Sequence, residues 1–247
     1  MIKLTRAKKP DFLSDEKVRE LTQKFKADKT SVWNKEQIKI PLLNSSNKKC
    51  AYCECKLDKE AHFMEVEHFE DKANNADKVV LWENLLPSCK RCNGSKGRHD
   101  VIAKPILNPY IDEPKKHLKL RFYRLKKKTD KGQESIDVCD LNNTERVVRV
   151  RFDIGDKLEN TIEDAKEKYD AYIEKKITGR RNKLINIIKG LLRECQPNSS
   201  YSATTSTILY SNDIFNDLVQ KLKDEELWDN KHQKLYDSSK KLVLDID

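Results

Sequence analysis

Two C-x-x-C pairs, Cys50-Ala-Tyr-Cys53 and Cys89-Lys-Arg-Cys92, restrict this chain more than any other feature. Four thiolates at this spacing bind one tetrahedral zinc, and a shared zinc pins two chain segments together across a structured insert. A closed four-sulfur shell leaves no position for water or substrate, so such an ion is structural. Cys55 is a spare thiol two residues on and competes for a place, but the spacing favours Cys53. Cys139 and Cys195 are scattered. An odd total of seven cysteines speaks against a disulfide framework and for a reducing compartment. The opening Met1-Ile2-Lys3-Leu4-Thr5-Arg6 has no apolar leader, and no stretch has the length of a membrane span. The expected location is cytoplasmic.

The chain has 247 residues, of which 37% are charged and 37% hydrophobic. That suffices for one sizeable domain or two small ones with a lean core, which a structural metal would support. The net charge of +9 suits either contact with a polyanion or a solvated basic surface. Lys115-Lys116, Lys126-Lys127-Lys128 and Arg180-Arg181 leave the same two readings open.

The expected fold class is α+β, a small zinc-stabilised module embedded in a largely helical protein. Residues 1–49 form an N-terminal helical segment, where Ser14 caps a helix to about Lys26 with Val18, Leu21 and Phe25 as its stripe. A second segment carries Trp33, Ile38, Ile40, Leu42 and Leu43, and Pro41 bends or ends it. Both segments read as packing around the zinc module.

Residues 50–110 are that module. His62 to Phe69 reads as a strand. Val79-Val80-Leu81-Trp82 reads as a second strand or a helix start, Asn84 to Pro87 as a loop, and a helix begins near Ser88. Residues 111–155 read as a small β segment, with strands at Leu118–Leu125 and Val147–Phe152 around a basic turn. Residues 156–247 are helical, from about Lys157 to Cys195 with a break at Gly179. The Ser- and Thr-rich Gln196–Thr207 reads as a linker before the helical Asp213–Leu242.

The insert between the cysteine pairs carries Glu67, His68 and Asn84, and Asn93 follows Cys92 directly. Hydrolysis of a phosphodiester needs a base to deprotonate water and positive charge for the phosphorane and the departing oxygen. A histidine suits the first task. A hard cation such as Mg²⁺ on oxygen ligands suits the rest, and Glu67 and Asn93 offer such oxygens. Glu67 and His68 are adjacent, so on a regular strand they face opposite ways, and one shared site needs a twist or bulge. Glu65 shares the Glu67 face and reads as a solvated strand residue. His62, His99, His117 and His232 have no partner visible in the sequence.

Cys50-x-x-Cys53, then Val-Glu-His-Phe, then Glu-Asn-Leu-Leu-Pro-Ser-Cys-Lys-Arg-Cys-Asn-Gly-Ser-Lys, resembles the zinc-bearing branch of the HNH endonucleases. The resemblance implies a ββα-metal fold with His68 as general base and Asn84 bracing the loop between the strands. It implies Glu67 and Asn93 as ligands of the catalytic divalent cation, and Lys96 as a contact to substrate phosphate. The opening Met-Ile-Lys-Leu, the Glu-His-Phe with Lys72 following, Ile106-Leu107-Asn108-Pro109 and Asp140-Leu141-Asn142 resemble the PtuB subgroup of Septu-type anti-phage defence, also found in some retron-linked systems. That implies an SMC-like ATPase partner of the PtuA type, held by the C-terminal helices, and in retron systems an RNA–DNA complex. Glu70-Asp71 departs from the basic residue and proline usual there. The substrate implied is nucleic acid, DNA by family default with structured RNA such as tRNA open. The competing reading is a zinc ribbon that grips nucleic acid or protein without cutting.

Overall fold

The computed structural model describes residues 1–57 and 63–246. The start of the first expected strand, with His62, lies outside them. Two compact units emerge. One comprises Met1–Leu118 with Lys126–Asn142, the other Lys119–Leu125 with residues 143–247.

The first unit opens with α1 (Asp15–Asp28), whose first turn is closed by the Ser14 hydroxyl accepting from the Lys17 amide. Leu21 and Phe25 are buried along its inner face, and Lys29 ends it in the left-handed region. In α2 (Glu36–Ser45), Pro41 lies inside the helix instead of ending it. Ile38 and Leu42 are fully buried there, and this anchoring offsets the missing amide donor.

The core of the module is β1 (Met64–His68) paired antiparallel with β2 (Leu85–Cys89), followed directly by α3 (Lys90–Lys96). The order strand, loop, strand, helix stands, but the second strand lies later than the hydrophobic run suggests. Val79 and Val80 are fully buried in a turn and plug the core. The segment expected as a loop, Leu85-Leu86-Pro87, is strand β2. Pro87 is tolerated in so small a sheet, where it stands opposite Val66 and its carbonyl accepts from the Ala51 amide at 2.9 Å. The helix starts at Lys90, two residues after the expected Ser88. Leu13, Leu21, Phe25, Val32, Ile38 and Leu42 pack with Val66, Val79, Val80, Trp82 and Leu85 in one cluster. The N-terminal helices therefore share the core of the ββα unit. α4 (Asp130–Val138), capped by Thr129, completes this unit.

The second unit is mostly helical. β3 (Leu118–Arg121) and β4 (Arg124–Lys127) adjoin a short β5 (Asp245–Ile246) in the order β4-β3-β5. Val147–Phe152, expected as a strand, is helical: a π turn at Thr144–Val148 runs into α5 (Arg149–Glu174). The Asn143 side chain accepts from the Arg146 amide and starts the turn, and this cap outweighs the β-branched alternation. The helix breaks at Lys175–Ile177, and α6 (Thr178–Glu194) resumes just before Gly179.

The expected linker at Gln196–Thr207 contains most of α7 (Ser202–Ser211). Ser202, Thr204, Thr205, Ser206 and Thr207 are all buried. Three of these hydroxyls are absorbed by backbone: Thr205 donates to the Tyr201 carbonyl, Thr207 to that of Ala203 and Ser206 to that of Cys195. α8 (Asp213–Asp224) and α9 (Asn230–Lys240) follow. Leu218, Leu222 and Leu227 join Ile162, Leu184, Ile188 and Leu192 in the core of this unit. Among the described residues no helix is long and apolar enough to cross a membrane.

Candidate active site

The zinc cradle comes first in the chain. The Cys50 amide donates to the Cys55 carbonyl at 2.9 Å, which folds Cys50–Cys53 into a tight knuckle, and a bridge between Lys49 and Lys56 closes its base. Lys49 and Glu54 form a buried ion pair at 3.1 Å beneath it. The second pair spans the junction of β2 and α3. The Sγ atoms of Cys50, Cys53, Cys89 and Cys92 lie within 4.8 Å of one another, all buried. Cys53 and Cys89 are 3.8 Å apart, as tetrahedral Zn–S bonds of about 2.3 Å require. This four-sulfur group fits zinc; the Cys55 thiol is not one of the four but lies against Cys50, Cys53 and Cys89. Ser88 Oγ lies 3.6 Å from Cys50 Sγ, and Arg91 Nη2 donates to Cys92 Sγ at 3.1 Å. Such donors offset the negative charge of a thiolate shell.

His68 ends β1. Its Nε2 lies 2.8 Å from the Val79 carbonyl oxygen. A carbonyl only accepts, so Nε2 carries the proton and Nδ1 keeps a lone pair. Burial lowers the His68 pKa to about 4, with the Lys72 and Lys96 charges adding to that effect against the Val79 hydrogen bond. The ring is therefore neutral near pH 7. Trp33 packs against it at a centroid distance of 4.8 Å, with the rings nearly perpendicular.

Glu67 is buried, and burial raises its pKa to about 7 against the opposing pull of Lys96. Lys96 Nζ lies 2.7 Å from Glu67 Oε1 and donates to the His68 carbonyl at 2.9 Å. Lys96 thus points inward from α3, instead of outward as a phosphate contact at the surface would. The Lys96 ammonium is the cation that Glu67 Oε1 meets among the described residues.

Asn93 Nδ2 donates to Glu65 Oε2 at 2.7 Å. A carboxylate cannot donate, so this contact fixes which end of the amide is oxygen. Glu65 is half-buried and orients Asn93, which corrects its reading as a solvated residue. Asn84 accepts from the Glu70 amide at 2.8 Å and donates to the carbonyls of Glu70 and Lys78, at 3.0 and 3.2 Å. It stitches the loop between β1 and β2. Asp71 is turned into that loop, accepting from Ala73 and Asn74.

Glu67, His68 and Asn93 all border one cleft of about 490 Å³, although the first two are neighbours on β1. Phe25, Lys29 and Trp33 from the N-terminal segment form part of its wall, with Lys72 and Arg98 also lining it. Sequence reasoning missed Trp33, Lys72, Val79 and Arg98 as parts of the site. Of the remaining histidines, His232 is buried in a capping box with Asp229, His117 bonds Thr129, and His99 bonds the Lys104 carbonyl.

An HNH endonuclease family model matches residues 50–99, the segment holding the four cysteines and the cleft residues of β1 and α3. The Septu protein PtuB of Bacillus thuringiensis is 43% identical over 246 residues, covering 99% of this chain and 95% of the relative. The chain belongs to the Septu PtuB family. A second PtuB, from Bacillus mycoides (strain KBAB4), is 27% identical over 270 residues, covering 89% of this chain and 86% of the relative. No solved structure matches the chain significantly. The match to the first of these relatives covers 99% of the chain, so both the HNH segment and the helical second unit fall within the family.

Proposed function

We propose that the protein is a metal-dependent nuclease of anti-phage defence that hydrolyses nucleic-acid phosphodiesters, with DNA as the first substrate to test and structured RNA as the second. The observation that carries this reading is the His68 ring, neutral and held by the Val79 carbonyl, in a cleft shared with Glu67 and Asn93. His68 Nδ1 takes the proton of the attacking water. Asn84 holds the loop that carries the Val79 carbonyl, and so keeps Nδ1 directed at the water. Glu67 and the Asn93 amide oxygen fit a hard divalent cation: both offer oxygen ligands and both border the same cleft. When bound, Mg²⁺ or a similar ion would supply positive charge for the phosphorane and the leaving oxygen. The products carry 5′-phosphate and 3′-hydroxyl ends.

The partner in this reading is an SMC-like ATPase of the PtuA type, bound through the helical second unit and gating cleavage. Exposed Ile173 and Ile177, at the α5–α6 break, are apolar positions such a contact could cover. In a retron-linked setting an RNA–DNA complex would join the assembly. The test compares Mg²⁺-dependent cleavage of plasmid DNA and tRNA by the wild type and His68→Ala, each alone and with the ATPase. Loss of cleavage in the variant supports the reading. Equal activity of the two proteins would leave the zinc-ribbon binding module as the better account.

A further inference from the structure

Trp33 lies outside the segment matched by the HNH model, in the connection between α1 and α2, yet it touches the ring assigned here as the base. Its position is fixed from several sides. Val32, the preceding residue, is buried in the same cluster as Val79, whose carbonyl holds His68 Nε2. The Lys35 amide donates to the Trp33 carbonyl at 2.8 Å, which closes a turn around it. Phe25 of α1 packs edge-on against the indole with centroids 5.7 Å apart. The Lys72 ammonium lies 5.0 Å from the indole centroid, within cation–π range, and lines the same cleft.

Among the described residues the imidazole has one hydrogen bond, to Val79. One hydrogen bond fixes the position of Nε2 but leaves the ring free to swing about that contact. A perpendicular aromatic neighbour at 4.8 Å removes much of that freedom. We propose that Trp33 is a positioning residue for His68, locking the plane of the imidazole so that Nδ1 stays directed into the cleft. The N-terminal segment is then part of the catalytic apparatus as well as of the core. This rests on the reading of His68 as the base.

The experiment uses the full-length chain. In the wild type, nuclear Overhauser contacts between the Trp33 indole and His68 ring protons are expected, with imidazole ¹⁵N shifts of a single Nε2–H tautomer. Absence of those contacts would overturn the proposal without any variant. In Trp33→Met, which keeps apolar bulk but no ring, we expect the Nε2–H tautomer to stay, because Val79 sets it, while the His68 ring-proton lines broaden and their remaining nuclear Overhauser contacts weaken as the ring swings, with a kcat lower by about 10- to 100-fold and KM little changed. Trp33→Phe restores the sharp ring-proton lines and most of the rate. Sharp ring-proton lines and the wild-type rate in the Met variant, at unchanged zinc content, would sink the positioning role. His68→Ala is run in parallel. If it still cleaves, the base assignment fails, while the ring-proton comparison still decides whether Trp33 sets the ring.

Discussion

Lys96 Nζ and Glu67 Oε1 meet at 2.7 Å with both side chains shielded from solvent, so the carboxylate that borders the cleft already has a cation of its own. A buried carboxylate that loses its partner becomes neutral or destabilises the fold, at a cost of about 3–5 kcal/mol if the charge stays. Lys96→Met should therefore lower the melting temperature. Added Mg²⁺ should recover more of it in the variant than in the wild type, because Glu67 has then lost its 2.7 Å cation. Thermal unfolding with and without Mg²⁺ measures both, and equal Mg²⁺ responses would show that the ion does not use Glu67.

His68 links stability to pH. Its folded pKa of about 4 lies below the ordinary 6.5, so between these values the unfolded chain binds a proton that the folded chain refuses. The contribution is whole above about pH 6.5 and is lost as the pH falls toward 4, amounting to about 3 kcal/mol. Urea unfolding of the wild type and His68→Gln from about pH 7.5 to about pH 4.5 should show the wild type losing more stability in acid. For the same reason, cleavage should show no acid inflection near pH 6.5 from this group.

Stripping zinc should dismantle the module. Apparent zinc binding to structural thiolate sites is worth about 10–16 kcal/mol near pH 7, more than a domain's usual stability. One equivalent of zinc is expected by elemental analysis. Cys53→Ser should lose it, together with cleavage and the protease resistance of residues 50–99, while the helical signal of the second unit persists.

Asn84→Ala removes three hydrogen bonds that close the loop from Glu70 to Lys78. With net values of about 1 kcal/mol each, a loss of about 2–3 kcal/mol is expected. Because Val79 follows that loop, cleavage should fall further than stability alone accounts for. Asn84→Asp keeps the acceptor but not the two donations, so it should fail nearly as badly. Chemical unfolding and single-turnover cleavage separate the two effects.

Glu65→Gln tests the orientation of Asn93. Glutamine can donate to Asn93 Oδ1, so the amide gains a reason to flip and turn its nitrogen toward the cleft. Weaker Mg²⁺ binding by titration calorimetry, with an unchanged melting temperature, is the expected result.

Much of this site could be read from residue order, because the ligand spacing of Cys50, Cys53, Cys89 and Cys92 is a local property and metal geometry tolerates few alternatives. The sheet partner of β1 was harder. Val79 and Val80 have strand propensity but are spent as plugs under a turn, while Leu85-Leu86-Pro87 carries a proline that usually argues against a strand. α7 misleads for a related reason: its serines and threonines look like linker residues until their hydroxyls are seen bonded to backbone inside the core. Trp33 and Glu65 were illegible as functional neighbours because their contacts join positions far apart in the chain, to His68 and Asn93.

The zinc cradle joins the end of β2 to the start of α3, and so it links the strand beside His68 to the helix that bears Asn93. An oxidant that converted those sulfurs to disulfides would eject the ion and pull apart both walls of the cleft in a single event. Under the proposed nuclease reading, cleavage would then depend on reducing surroundings.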